Sequence, residues 1–257
     1  MPQWSLEHAM MVRQVGAGRV IVWLHGLGEW SASFDAVVAA PELAGFTHVL
    51  PDLPGYGRSP WPRALPPGDS LEQLAEHLAS WLRNRPPVIL IGHSMGGVLA
   101  TLVAERIPVA AILDVDGNLS RGDCVFSAQA LSYTADELAA HGLAELRARV
   151  YEGGLGSPAL RNYYVGLSAA SPAVFHRHAT DLVALSASET LAGRLAAVPA
   201  PTHFIAGVPG GICEHSRGLL DLHGVRCHGI EPSGHWPFVD QPAAFAKLVG
   251  ELCRSIA

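Results

Sequence analysis

The stretch Val88-Ile89-Leu90-Ile91-Gly92-His93-Ser94-Met95-Gly96-Gly97 decides the reading of this chain. A short apolar run meets a glycine-flanked serine, and helix-like sequence then continues to about Ile107. Strand, sharp turn and helix form the setting in which a Gly-x-Ser-x-Gly pattern carries chemistry. A turn that sharp forces its serine into a strained backbone, so the residues two positions either side must be nearly free of side chain. Gly92 and Gly96 meet that need, and Gly97 allows the helix to pack closely on the strands. Ser94 Oγ is then expected at a helix N-terminus, where the dipole and free N–H groups favour developing negative charge. Ser94 is the candidate nucleophile.

Working outward, further apolar runs fall at Arg19–Leu24, His48-Val49-Leu50, 109–113 and 203–206, with a weaker one at 225–230. Between them, Leu71–Leu82 places Leu71, Leu74, Ala75, Leu78 and Leu82 on one helical stripe. Ser70 is its expected N-cap, with Gln73 three residues on. Residues 242–256 close the chain with Phe245, Leu248, Val249 and Leu252 on one face. Short strands alternating with amphipathic helices predict an α/β fold, a mostly parallel central sheet flanked by helices. From about 118 to 195 no strand pattern occurs, only alanine-rich, helix-like pieces. That is too long for a plain connection. The expected organisation is a core domain of residues 1–117 and 196–257, with 118–195 inserted as a helical cap over the strand ends.

With 257 residues, 49% of them hydrophobic and 16% charged, the chain can bury one large core. Its 17 basic and 23 acidic residues give a net charge of −6, with Lys247 as the only lysine. Nucleic-acid binding needs clustered Lys and Arg, which this balance disfavours. No segment approaches the ~20 apolar residues of a membrane span, and the N-terminus lacks a signal-peptide profile, so no membrane and a cytoplasmic location are expected. Cys124, Cys213, Cys227 and Cys253 show no metal-type spacing. Neither a metal nor a cofactor is expected, and the thiols are expected to be free.

Four motifs stand in series: His25-Gly26-Leu27-Gly28, Asp52-Leu53-Pro54-Gly55-Tyr56-Gly57-Arg58-Ser59, the Ser94 turn, and Gly234-His235-Trp236-Pro237-Phe238. In this order the chain resembles the α/β-hydrolase superfamily over nearly its whole length, weakening across 118–195. The resemblance implies a serine hydrolase with a nucleophile elbow and an oxyanion hole. Its donors would be the backbone N–H groups of Leu27 and Met95. His235 would be the base, since histidine's pKa suits proton transfer from an alcohol near neutrality. His25 would brace its own loop, His93 would neighbour the site, and Asp52 would anchor its loop without chemistry.

The acid departs from the commonest pattern of that superfamily, which places it after the strand at 203–206. This chain reads Gly207-Val208-Pro209-Gly210 there. Asp116, one strand over from Ser94, is the leading candidate, since adjacent strands lie only ~4.8 Å apart. Glu214 and Asp114 are the alternatives, Asp114 reading better as a structural carboxylate. Trp30, Ser33, Trp236 and Tyr133 are expected to bind substrate, with Tyr163, Tyr164 and Phe175 as a further aromatic roof. The expected substrate is a small, largely apolar carboxylic ester, lactone or thioester, cleaved through an acyl-enzyme. The alternatives are a carbon–carbon bond hydrolase of a dienoic diketo acid, which would want a pocket arginine such as Arg161 or Arg177, and a non-catalytic ligand receptor. The sequence leaves the oligomeric state open.

Overall fold

The computed structural model describes residues 2–62 and 70–256; Met1, Ala257 and 63–69, all in the expected core domain, lie outside the described residues. Its central strands are β3 (Arg19–Leu24), β4 (Phe46–Asp52), β5 (Ile89–His93), β6 (Ala111–Val115), β7 (Thr202–Gly210) and β8 (Arg226–Gly234). They are most deeply buried in the middle of the sheet and more exposed in β8 at its edge. All six run parallel, and every residue of β4, β5 and β6 is buried. That is the burial expected of strands covered on both faces. At one edge β1 (Gln3–Glu7) and β2 (Met10–Gly16) form an antiparallel hairpin, and β2 pairs antiparallel with β4. The sheet order is β1-β2-β4-β3-β5-β6-β7-β8.

The sequence pattern missed this hairpin for two reasons. The residues of β1 are mostly exposed, so they show no buried alternation. The turn residues His8 and Ala9 both take positive φ, without the Asn-Gly or Asp-Gly that normally marks such a turn. Strands β5, β6 and β8 also run further toward their carboxyl ends than their apolar runs suggest. Ladder pairing carries them on, as in Gly92 with Asp114 and His93 with Val115.

The flanking helices follow the amphipathic stripes. Before β4 lies the short α1 (Asp35–Val38), and α2 (Leu71–Leu82) begins where Ser70 Oγ accepts from Gln73 N at 3.3 Å. Next is α3 (Met95–Ala104), directly behind Ser94. Between β6 and β7 the chain passes through α4 (Val125–Ala130), α5 (Ala135–Glu137), a π-helical turn (Leu138–Gly142), α6 (Leu143–Gly154), α7 (Pro158–Leu167), α8 (Pro172–Ala187) and α9 (Leu191–Ala196). No strand interrupts this stretch among the described residues. After β7 come α10 (Glu214–Leu222), α11 (Pro237–Asp240) and α12 (Pro242–Ser255).

The chain leaves β3 for β4 on one side and returns to β5 on the other. The loops after β3 and β5 therefore part at the carboxyl edge, where open α/β sheets build their sites. Helix α8 is seated on this edge. Ser171 N, at its cap, donates to Gly55 O at 2.8 Å, and Tyr56 Oη lies 3.0 Å from His178 Nδ1. Leu71 N donates to Asp181 Oδ2 at 3.1 Å. The Asp52–Ser59 loop is thus a platform for the inserted helices, and Asp52 holds it by accepting from Ser31 N and Arg58 N.

Candidate active site

Ser94 has φ 53° and ψ −119°, a strained conformation for a side-chain-bearing residue. Its N–H donates to Val115 O at 2.9 Å, and its carbonyl accepts from Gly97 N at 2.9 Å. The turn has no space for other residues beside it. A Cβ on Gly92 would lie 2.1 Å from Gly96 O, and one on Gly96 would lie 2.1 Å from Leu24 O. Met95 N is the first N–H of α3 and has no acceptor within the helix. Leu27, after β3, borders the same small cavity as Ser94.

His235 follows β8 and also lines that cavity, beside Trp236. Burial among its neighbours, and then the positive charge of His93, hold its imidazole well below the usual histidine value against the opposing charge of Glu29. It is therefore neutral near pH 7 and able to accept a proton. Asp116 stands at the end of β6 with φ 46°, its N–H donating to Ile205 O at 2.9 Å. Its carboxylate accepts from Gly207 N at 3.0 Å and Ile212 N at 3.1 Å. Burial pushes it up to about 7, although those N–H groups and the charges of His93 and Arg217 pull the other way. Gly211 leaves room for it, since a Cβ there would lie 2.3 Å from Asp116 Oδ1. The carboxyl-terminal half of β7 and the turn after it, which lack a carboxylate of their own, thus cradle the one that follows β6.

Among the described residues no hydrogen bond joins Ser94 to His235 or His235 to Asp116. Ser94 Oγ instead donates to Asn118 Oδ1 at 3.1 Å, while Asn118 Nδ2 donates to Asp123 O at 3.0 Å. Catalytic hydrogen bonds are often loose before substrate is bound. Asp114 is buried within β6 and accepts from Gly117 N at 2.9 Å, and burial raises it to about 8. It sits where a structural carboxylate was expected. Glu214 is exposed at the start of α10.

Glu29 is the main residue that sequence reasoning missed. It is buried and accepts from Gly26 N at 3.0 Å and from Trp236 Nε1 at 2.6 Å. His93 Nδ1 lies 2.9 Å from Glu29 Oε1 but off line for a hydrogen bond, so charge carries that pair. Burial alone would raise Glu29, yet the charge of His93 and the bonds from its neighbours hold it at about 2. His93 is raised in turn, since Glu29 and the His235 carbonyl overcome its burial. His93 Nε2 lies 2.7 Å from His235 O, so one buried pair ties the end of β5 to the loops after β3 and β8. His25 braces its loop as expected, with Nδ1 2.9 Å from Gly26 O and Nε2 accepting from Leu53 N at 3.0 Å.

The structure brings only some of the expected substrate contacts to the cavity. Trp236 and Tyr163 line the cavity beside Ser94, whereas Trp30, Ser33 and Tyr133 line neither that cavity nor the groove outside it. Trp30 turns toward the surface under the Arg58 guanidinium, 4.6 Å from its ring centroid. Ser33 is buried in a short 3-10 turn (Ser31–Phe34), and Tyr133 Oη donates to Glu145 at 2.7 Å between inserted helices. Tyr164 packs on Tyr151, and Phe175 is core. Arg161 is exposed and Arg177 pairs with Asp181 at 3.7 Å, so neither serves the pocket.

Among the described residues no group of three or more His, Cys, Asp or Glu is placed to hold a metal, and the four cysteines are free. No helix there is long and apolar enough to cross a membrane.

Several curated proteins share part of the sequence, two of them as follows. The magnesium-chelatase 30 kDa subunit of Rhodobacter capsulatus is 32% identical over 134 residues, 45% of this chain and 45% of that protein. The pimeloyl-[acyl-carrier protein] methyl ester esterase of Sodalis glossinidius is 43% identical over 95 residues, 36% of this chain and 33% of that protein. The chain thus matches less than half the length of these relatives. A thermophilic esterase from Thermogutta terrifontis shares the fold with a TM-score of 0.79 at 18% identity, covering 100% of this chain and 99% of that one. Residues 21–248 match the profile of the alpha/beta hydrolase family, and the chain belongs to that family.

Proposed function

We propose that the protein is a carboxylic ester hydrolase that works through an acyl-enzyme on Ser94. The observation that carries this reading is the strained Ser94 backbone at the head of α3, with neutral His235 lining the same cavity. The partial match to a protein named as a methyl ester esterase supports it.

In this reading the Ser94 hydroxyl leaves Asn118 and donates to His235 as Oγ attacks the acyl carbon. The carbonyl oxygen becomes an oxyanion, which the N–H groups of Leu27 and Met95 receive. As the tetrahedral centre collapses, His235 returns the proton to the departing alcohol. Water then repeats the sequence to free the acid and Ser94. Asp116 steadies the imidazolium from the end of β6. Each of its oxygens has one lone pair spare beyond its backbone donor. Leu27, Tyr163, Leu182 and Trp236 give the space beside Ser94 apolar walls, which favours an apolar acyl group once that space opens.

Ser94→Ala is expected to abolish turnover of chromogenic esters while circular dichroism stays unchanged. A fluorophosphonate should add one adduct at Ser94, located by peptide mass spectrometry. Full activity in the alanine variant would overturn the proposal.

A further inference from the structure

The cavity beside Ser94 measures about 20 Å³, whereas the groove outside it measures about 780 Å³. The smaller space holds about one water molecule, so no acyl group fits there as the protein stands. Asp123, Phe126, His235 and Trp236 line both spaces and form the wall between them. An ester arriving from the groove reaches Ser94 only when part of that wall moves.

Three of the four are held by hydrogen bonds, Asp123 and Trp236 through their side chains and His235 through its backbone alone. Asp123 accepts from Leu119 N, Ser120 N and Ser216 Oγ on one oxygen and from Cys213 N on the other. Trp236 is pinned through its indole N–H to buried Glu29. His235 is gripped at its carbonyl by His93. Phe126 has no polar anchor. Its ring rests on Tyr163 and Trp236, with centroids 4.9 Å and 5.6 Å away. It rides on α4, six residues long, whose first residue Val125 is 58% exposed.

We infer that Phe126 is the gate between groove and nucleophile, and that it sets the size of acyl group admitted. Displacing its ring merges the two spaces and opens a path from the groove to Ser94. The helix also has a hand on the nucleophile. Asp123 O and Cys124 Sγ, just before α4, receive the Asn118 amide whose oxygen holds the Ser94 hydroxyl. The inference rests on the ester hydrolase reading of Ser94.

The test compares wild type, Phe126→Ala and Phe126→Trp on p-nitrophenyl acetate and p-nitrophenyl octanoate. Phe126→Ala is expected to raise the octanoate-to-acetate ratio of kcat/KM by about tenfold, the scale of discrimination in apolar pockets. Phe126→Trp should lower it. Labelling rates of Ser94 with a short and a long-chain fluorophosphonate should shift in the same directions. Phe126→Leu serves if the alanine variant does not fold. Unchanged ratios with acetate still hydrolysed would overturn the gate and leave the esterase reading standing. No hydrolysis and no label in any protein, wild type included, would remove the esterase reading and the gate with it.

Discussion

Asp116 takes its place from its neighbours' backbones. Gly207 N from β7 and Ile212 N from the turn after it hold its carboxylate, and glycines at 207 and 211 leave it room. Glu214 is exposed and lacks any comparable cradle. If Asp116 orients and stabilises the His235 imidazolium, Asp116→Asn should lower kcat by about 10⁴, while Glu214→Gln should change it by less than about tenfold. Steady-state kinetics on one chromogenic ester decides the matter, and the opposite ranking would move the acid to Glu214. Chain order alone admits both residues, so the choice was only partly legible in the sequence. Asn118 was not legible at all. An asparagine three residues past a strand reads as an ordinary loop residue until the fold brings it 3.1 Å from Ser94 Oγ.

At the scale of elements, the Glu29–His93 pair clamps the end of β5 to the loops after β3 and β8. Glu29, ordinarily near 4.5, is held at about 2, so its share of stability is complete above 4.5 and is lost as pH falls through about 2. His93 is raised above 6.5, so its share is complete below 6.5 and is lost as pH rises through the raised value. Both shares are whole between 4.5 and 6.5. Removing one partner of a buried pair is costly, so Glu29→Gln should lower the unfolding free energy by roughly 3 kcal/mol in that window. The deficit should shrink on the alkaline side. Urea unfolding of both proteins across pH measures it, and a deficit that does not vary with pH would dissolve the pair as a source of stability. Neither residue announces this role in the sequence, because a lone glutamate after Gly-Leu-Gly reads as a solvated loop charge.

For the molecule as a whole, the inserted helices divide into a seated part and a freer part. Helix α8 is hydrogen-bonded to the platform after β4 and to the start of α2, while α4 meets the site through Phe126 and Ser127. Asp123 also ties the first turn of the insertion to Cys213 and Ser216. Exchanging residues 125–187 for the matching segment of another family member should therefore change the acyl-length profile of kcat/KM more than the urea midpoint of the sheet. A shifted midpoint with an unchanged profile would count against these helices as the selector of substrate.

The sequence by itself determined where most of the central strands fall along the chain, the Ser94 turn, the His235 loop and the strandless helical stretch between β6 and β7. Each of these is local, resting on a run of apolar residues, a helical stripe or a glycine where a side chain cannot fit. The tertiary structure alone decided the edge hairpin, the Glu29–His93 clamp, the Asn118 contact and the Phe126 wall. These depend on residues distant in the chain meeting in one buried place. Whether a charge is paired or a ring blocks a path follows from that meeting, and no local pattern records it.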